Sequence, residues 1–177
     1  MDIQFRETLS TEEEKGLAEM MQDVFGSTVG ETEAKEDFIN EPYAHILLKD
    51  GEQIVGNLDL HHSTGLYENK KVSIGGLSIG ILEAYRKHGY GNKMISMAME
   101  HLKSKNYDLG FLAAAPGTAS LYERYGWQIL KVPYTWENVN GKIKSDTDGM
   151  IIPLAKPDLV ETIQEGKTPL HIGRGYW

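Results

Sequence analysis

The stretch Ile79-Gly-Ile-Leu-Glu-Ala-Tyr-Arg-Lys-His-Gly-Tyr-Gly-Asn92 runs from apolar residues through a basic, glycine-bearing turn into a segment with helical spacing. Backbone N–H groups at a helix N-terminus, backed by about half a positive charge from the dipole, bind phosphate, and glycines let it come close to the backbone. Arg86, Lys87 and His88 add charge at the mouth of such a turn. Two familiar phosphate motifs do not fit this stretch. It holds no Gly-Lys-Ser/Thr, and Asn92, Lys93 and Met94 follow Gly91 where a dinucleotide fingerprint requires a third glycine. Taken alone, a glycine turn between strand and helix can equally be only a tight turn. For proton acceptance the sequence offers Asp59, His61 and His62 on one expected strand, where alternation puts Asp59 and His61 on the same face. A histidine there suits proton transfer near neutral pH or, equally, a solvated surface position, and backbone carbonyls with water are the alternative.

These residues need elements to hold them. Residues 2–6 read as a strand. Ser10 and Glu13 have capping-box spacing ahead of a helix whose Leu17, Met20, Met21, Val24 and Phe25 share a face. Thr32–Asn40 suggests a second, weaker helix ended by Pro42. His45–Lys49 and Gln53–His62 read as strands joined by Asp50-Gly51, and Val72–Leu82 as a third whose Gly75, Gly76 and Gly80 imply a close approach to its backbone. Gly91–Lys105 reads as helix with Met94, Ala98 and Leu102 inward. Tyr107–Ala113 reads as strand, Pro116 to about Arg124 as short helix, and Trp127–Lys131 and Met150–Leu154 as strands. Asn138–Asp148 and Lys156–Trp177 are polar and rich in turn formers, with no element expected.

Composition sets bounds. The 177 residues, with no repeat or linker, suit one domain spanning 1–177, with 155–177 as a C-terminal tail. The 18 basic and 26 acidic residues leave a net charge of −8, which disfavours nucleic-acid binding and favours a cationic small molecule. Glu31, Glu33, Glu36 and Asp37 form an acidic run that could hold such a cation or be a solvated face. The absence of cysteine removes thiolate nucleophiles, disulfides and cysteine-ligated zinc, and fits a cytoplasmic address. No apolar run approaches the ~20 residues of a membrane span, and the first residues lack a signal-peptide pattern.

Ile81-x-Glu83-x-Tyr85-Arg86-x-x-Gly89-x-Gly91 resembles the acyl-CoA binding motif of the GNAT N-acyltransferase superfamily, with Glu83 where proline is common. Leu121-Tyr-Glu-Arg-Tyr-Gly-Trp127 resembles that superfamily's later Leu-Tyr-Glu-x-x-Gly-Phe segment. The resemblance runs from Met1 to about Leu154. It implies an α/β chain in the α+β sense, a strongly twisted mixed sheet flanked by helices and splayed to admit acetyl-CoA. It also implies that Ile79 and Ile81 pair through their backbone with the pantetheine arm. Arg86, Lys87, His88, Gly89, Tyr90, Gly91 and Asn92 would hold the pyrophosphate. Tyr122, its pKa modestly lowered, would protonate the departing thiolate. The implied reaction is direct attack by a primary amine of a small cationic acceptor on acetyl-CoA, with no metal. Superfamily members are often dimers, so a homodimer is admitted.

Tyr107-x-Leu109-Gly110, the Leu-Tyr-x-x-x-Gly-Trp ending at Trp127, Asp148-Gly149 and a final tryptophan resemble, more narrowly, the aminoglycoside 2'-N-acetyltransferases. That resemblance puts Asp148 and the Trp177 carboxylate in the acceptor pocket. It departs where a strand glutamate considered as base falls on Leu77, and acidic contacts fall on Gly30, Lys35 and Gly175, with Arg174 adding a positive charge. Rival readings are a peptide or protein amine acceptor, a metabolite amine, a non-catalytic acyl-CoA-binding module, and a structural domain without CoA affinity.

Overall fold

The computed structural model describes residues 1–26 and 36–177. Gly30, Glu31, Glu33, Lys35 and the first part of the suggested Thr32–Asn40 helix, residues 32–35, lie outside them, and 38–40 carry no helix.

β1 (Asp2–Arg6) leads to α1 (Thr11–Phe25), opened by the expected capping box: the Glu13 N–H donates to Ser10 Oγ at 3.2 Å and the Ser10 N–H to Glu13 Oε2 at 3.1 Å. Leu17, Met20, Met21 and Val24 pack on Leu47 and Ile54. β2 (Ala44–Asp50) and β3 (Gln53–Tyr67) form a hairpin through Gly51 at φ +60°, and β4 (Lys70–Ile81) returns along β3. After a 3₁₀ turn at Glu83–Tyr85, α2 (Tyr90–Ser104) buries Met94, Ile95, Ala98, Met99 and Leu102. There follow β5 (Leu109–Ala113), α3 (Ala119–Glu123), β6 (Gln128–Ile129), β7 (Tyr134–Glu137), β8 (Ile143–Asp146), β9 (Gly149–Pro153), α4 (Pro157–Glu165) and β10 (Leu170–Arg174).

The strands join one mixed sheet in the order β6-β9-β5-β4-β3-β10-β7-β8, with β1 and β2 on the other edge of β3. β3 is long enough to pair with β2 through residues 53–60 and to reach β10 at Leu66. The segments expected to lack elements are thus corrected. Part of 138–148 forms β8, and 157–165 and 170–174 form α4 and β10, so the end of the chain enters the sheet and is not a tail. Alternation along β4 sorts two cores: Leu77, Ile79 and Ile81 face α2, while Val72 and Ile74 face the opposite side with α4 and β10. No helix among the described residues is long and apolar enough to cross a membrane.

Candidate active site

β4 and β5 run parallel, but pair only from Ile74–Gly76 to Leu109–Phe111; beyond that β5 continues along β9 alone. The sheet therefore forks after Gly76. The Asp108 N–H donates to Ser73 O at 2.9 Å, so odd-numbered backbone groups of β4 face β5. The Leu82 N–H donates to Val55 O at 3.0 Å, so even-numbered ones face β3. By this parity the C=O of Leu77 and the N–H and C=O groups of Ile79 and Ile81 lie on the opened edge, without a strand partner among the described residues. The Arg86 Nε donates to the Ile81 carbonyl at 2.7 Å and so closes the far end of that edge. The fork thus unites Ile79 and Ile81 with the basic turn.

The turn itself depends on two positive-φ residues, Lys87 at +65° and Gly89 at +83°, of which Gly89 is the N-cap of α2. No side chain caps this end, so the first-turn N–H groups of Tyr90, Gly91 and Asn92 stay available for an anion. Lys87 and His88 are exposed beside them, and a Cβ at Gly91 would only touch Ile81 at 3.6 Å. The Tyr125 hydroxyl donates to the Asn92 carbonyl at 2.8 Å, and Arg124 Nη1 to its Oδ1 at 3.4 Å, tying this first turn to the residues after α3. The chain's one Gly-Lys-Thr, 166–168, follows α4 instead of opening a helix, so it makes no P-loop.

Tyr122 on α3 is 6% exposed and packs in the α2-side core. The expected lowering of its pKa is corrected: burial raises it to about 12, because a phenolate there would lose its hydration.

The other face of the fork carries polar and aromatic side chains. His61 pairs across strands with Gly76, and Asp59 with Ser78. His61 is 4% exposed and not a solvated surface residue; burial lowers its pKa to about 4, partly offset by the Asp59 carboxylate. Asp59 Oδ1 lies 2.6 Å from His45 Nδ1. The Trp177 indole covers Gly76, whose Cβ would fall 2.5 Å from it, and stacks on His61 with centroids 5.6 Å apart. This explains one glycine of the glycine-rich strand: it receives an indole. Phe111 meets Trp177 edge-on at 5.7 Å, and continues to Tyr134 and Tyr176. Exposed Asp148 accepts a hydrogen bond from the Tyr134 hydroxyl at 2.7 Å, and burial with that carboxylate and Tyr176 raises the Tyr134 pKa. Asp37 departs from its reading as solvated acid. It is 5% exposed and accepts from Trp136 Nε1 at 3.3 Å, with Lys144 Nζ at 3.7 Å. Leu77 is buried in the α2-side core, where it can accept no proton. Arg174 and His62 line a cavity of about 440 Å³ with Asn40, Glu41, Ile39 and Val139.

Sequence reasoning did not single out Ser78, Asn40, Tyr134 or Tyr176. For Ser78 the signal was available, a hydroxyl between Leu77 and Ile79 in an otherwise apolar and glycine run. Among the described residues no group of three His, Cys, Asp or Glu side chains is arranged to hold a metal ion.

Residues 6–130 match the family described as acetyltransferase (GNAT) domain. The chain belongs to this family of acyltransferases, and its curled mixed sheet with flanking helices is the GNAT fold. Among solved structures it is similar to Escherichia coli YhbS in complex with CoA, at 14% identity and TM-score 0.62 over 96% of this chain and 89% of that one. It is also similar to a GNAT acetyltransferase from Brucella melitensis in complex with acetyl-CoA, at 16% identity and TM-score 0.53 over 72% of this chain and 83% of that one. Against Eis1 from Mycobacterium abscessus, at 17% identity and TM-score 0.55, 73% of this chain is covered, and the chain spans 32% of that protein's length. No curated protein matches the sequence.

Proposed function

We propose that the chain moves an acetyl group from acetyl-CoA to a primary amine of a small cationic acceptor, an aminoglycoside-like polyamine being one candidate class. The carrying observation is the opened edge of β4, which starts at the fork after Gly76 and ends beside the uncapped N-terminus of α2. The pyrophosphate would sit on the N–H groups of Tyr90, Gly91 and Asn92, with Lys87, His88 and Arg86 supplying positive charge. The pantetheine arm would add as a strand to Ile81 and Ile79, placing the thioester near Leu77 and Ser78.

A neutral amine is required for attack, and a lysine-like amine at pH 7 is about three units below its pKa, so deprotonation costs about 4 kcal/mol. An acidic acceptor side helps to hold the cation before that step: Asp148, with Asp146 nearby on the same turn, stands next to the Tyr134–Tyr176–Trp136 aromatic group. The Trp177 indole closes the fork on that side. Tyr122, with its pKa near 12, remains protonated throughout the working range and donates to sulfur as the C–S bond breaks. On this reading β10 and Trp177, within residues 155–177, belong to the acceptor side.

Free-thiol release from acetyl-CoA, measured with tobramycin, spermidine, single amino acids and a lysine peptide, tests this reading. Turnover with tobramycin or spermidine supports it. Turnover confined to the peptide moves the acceptor to a protein amine, and CoA binding without turnover leaves only an acyl-CoA-binding module. Gly89→Val is expected to raise the KM for acetyl-CoA about tenfold or more with kcat little changed, because a β-branched residue at φ +83° costs about 1–3 kcal/mol and displaces the turn. Initial rates against acetyl-CoA concentration check this.

A further inference from the structure

We propose that Ser78, His61 and Asn40 form the relay that takes the proton from the attacking amine, a role that rests on the seating of acetyl-CoA along β4 given above. The three side chains make a directed chain of hydrogen bonds. Asn40 Nδ2 donates to the His62 carbonyl at 3.2 Å, which fixes the orientation of the amide and turns its Oδ1 toward His61. His61 Nδ1 lies 3.2 Å from that Oδ1, an atom that can only accept, so the imidazole carries its hydrogen on Nδ1. Nε2 is left with a lone pair, and Ser78 Oγ stands 3.4 Å from it. A hydroxyl, an imidazole acceptor and a third group that fixes the tautomer are the parts of a proton-transfer assembly, often looser before substrate arrives.

Position argues the same way. Ser78 lies two residues beyond the last β4–β5 pair, on the face opposite α2, and is flanked by Leu77 and Ile79, whose C=O groups line the opened edge. It is half-buried, whereas His61 behind it is 4% exposed and pinned by the Trp177 indole stacked at 15° between planes. A reactant therefore meets the hydroxyl first. Tyr122 belongs to the core on the opposite face, so the proton donor to sulfur and the acceptor of the amine proton stand on opposite sides of the fork. The charged and titratable groups facing His61 are Asp59 on the same strand and face, His45 bonded to Asp59 from β2, and neighbouring His62. The Asp59 carboxylate compensates the imidazolium when it forms.

The step balances. The amine nitrogen bonds to the thioester carbon as the carbon–sulfur bond breaks. Its proton passes to Ser78 Oγ while the Ser78 proton passes to His61 Nε2, and the thiolate takes a proton from Tyr122. Between turnovers the imidazolium proton returns to Tyr122 through solvent. In this scheme Ser78 is the group that touches the amine, and His61 and Asn40 act through it.

The test uses the full chain with acetyl-CoA and tobramycin, spermidine or a lysine peptide. Ser78→Ala, a small change at a half-buried site, is expected to lower kcat by about 10²-fold with the KM for acetyl-CoA unchanged. Asn40→Asp places a carboxylate on the Nδ1–H side and is expected to move the acidic limb of the kcat profile upward by about one pH unit. A purely structural Asn40 would change stability and leave that limb in place. Nitrogen-15 NMR of the free protein is expected to find His61 protonated on Nδ1. Retention of kcat within about twofold in Ser78→Ala, an unmoved limb in Asn40→Asp, or an Nε2–H tautomer overturns the relay. If the parent binds acetyl-CoA but releases no thiol with any of the three amines, the relay falls while the seating stands; if it does not bind acetyl-CoA, both fall.

Discussion

Replacing Tyr122 by phenylalanine will lower kcat by about 10²–10⁴-fold and leave the KM for acetyl-CoA nearly unchanged, the range expected when a positioned acid is removed. The ring stays in the α2-side core, the cluster that also holds Leu112, Ala114 and Met94, so the variant will fold; only the proton donor is lost. Since the phenol sits near 12, the parent enzyme will show no fall in kcat from tyrosine ionisation up to about pH 10, where about one phenol in a hundred would be ionised. Steady-state rates from pH 6 to 10 for both proteins check both statements. An unchanged kcat in the variant would leave Tyr122 as a core aromatic alone.

Phe111→Ala will cost about 3–5 kcal/mol of stability, the range for truncating a fully buried aromatic. Phe111 is 0% exposed on the strand that carries the fork, between β4 and β9, and touches Tyr134 at 4.8 Å and Trp177 at 5.7 Å between centroids. A cavity there will loosen the indole over Gly76, so activity will fall along with stability. At about 2–4 °C per kcal/mol for a domain of this size, the melting temperature will drop by about 10 °C. Urea unfolding and a thermal melt measure it, and a change below about 1 kcal/mol would show that the site collapses around the gap.

The glycine turn and the helix after it were legible because their determinants are local. Gly89 and Gly91, the charges at Arg86 to His88 and the periodicity of Met94, Ala98 and Leu102 lie within one short stretch, which folds as a turn opening α2. The strand glycines pointed to a close approach, and at Gly76 the approaching group is the indole of Trp177, a hundred residues away in sequence. β7, β8 and β10 escaped notice because they are short and mixed in polarity. Thr135 and Lys144 alternate with Trp136 and Ile143, and β10 gains its place only by lying between β3 and β7. Asp37 read as solvated because its partners Trp136 and Lys144 come from far along the chain. The relay was hidden for the same reason: Asp59 and His61 were placed on one face by alternation, yet the group that sets the His61 tautomer, Asn40, lies in a segment without regular structure.

The opened edge of β4 is the centre of this account, and amide hydrogen exchange read residue by residue by NMR tests it most directly, with and without acetyl-CoA. Backbone parity makes the expectation sharp. Acetyl-CoA should slow exchange at Ile79 and Ile81, whose N–H groups face the fork, and at Tyr90, Gly91 and Asn92 on the helix end. Ser78 and Gly80, already turned toward β3, should change little. Slowing at Ser78 and Gly80 in place of Ile79 and Ile81, or protection confined to another surface, would contradict it.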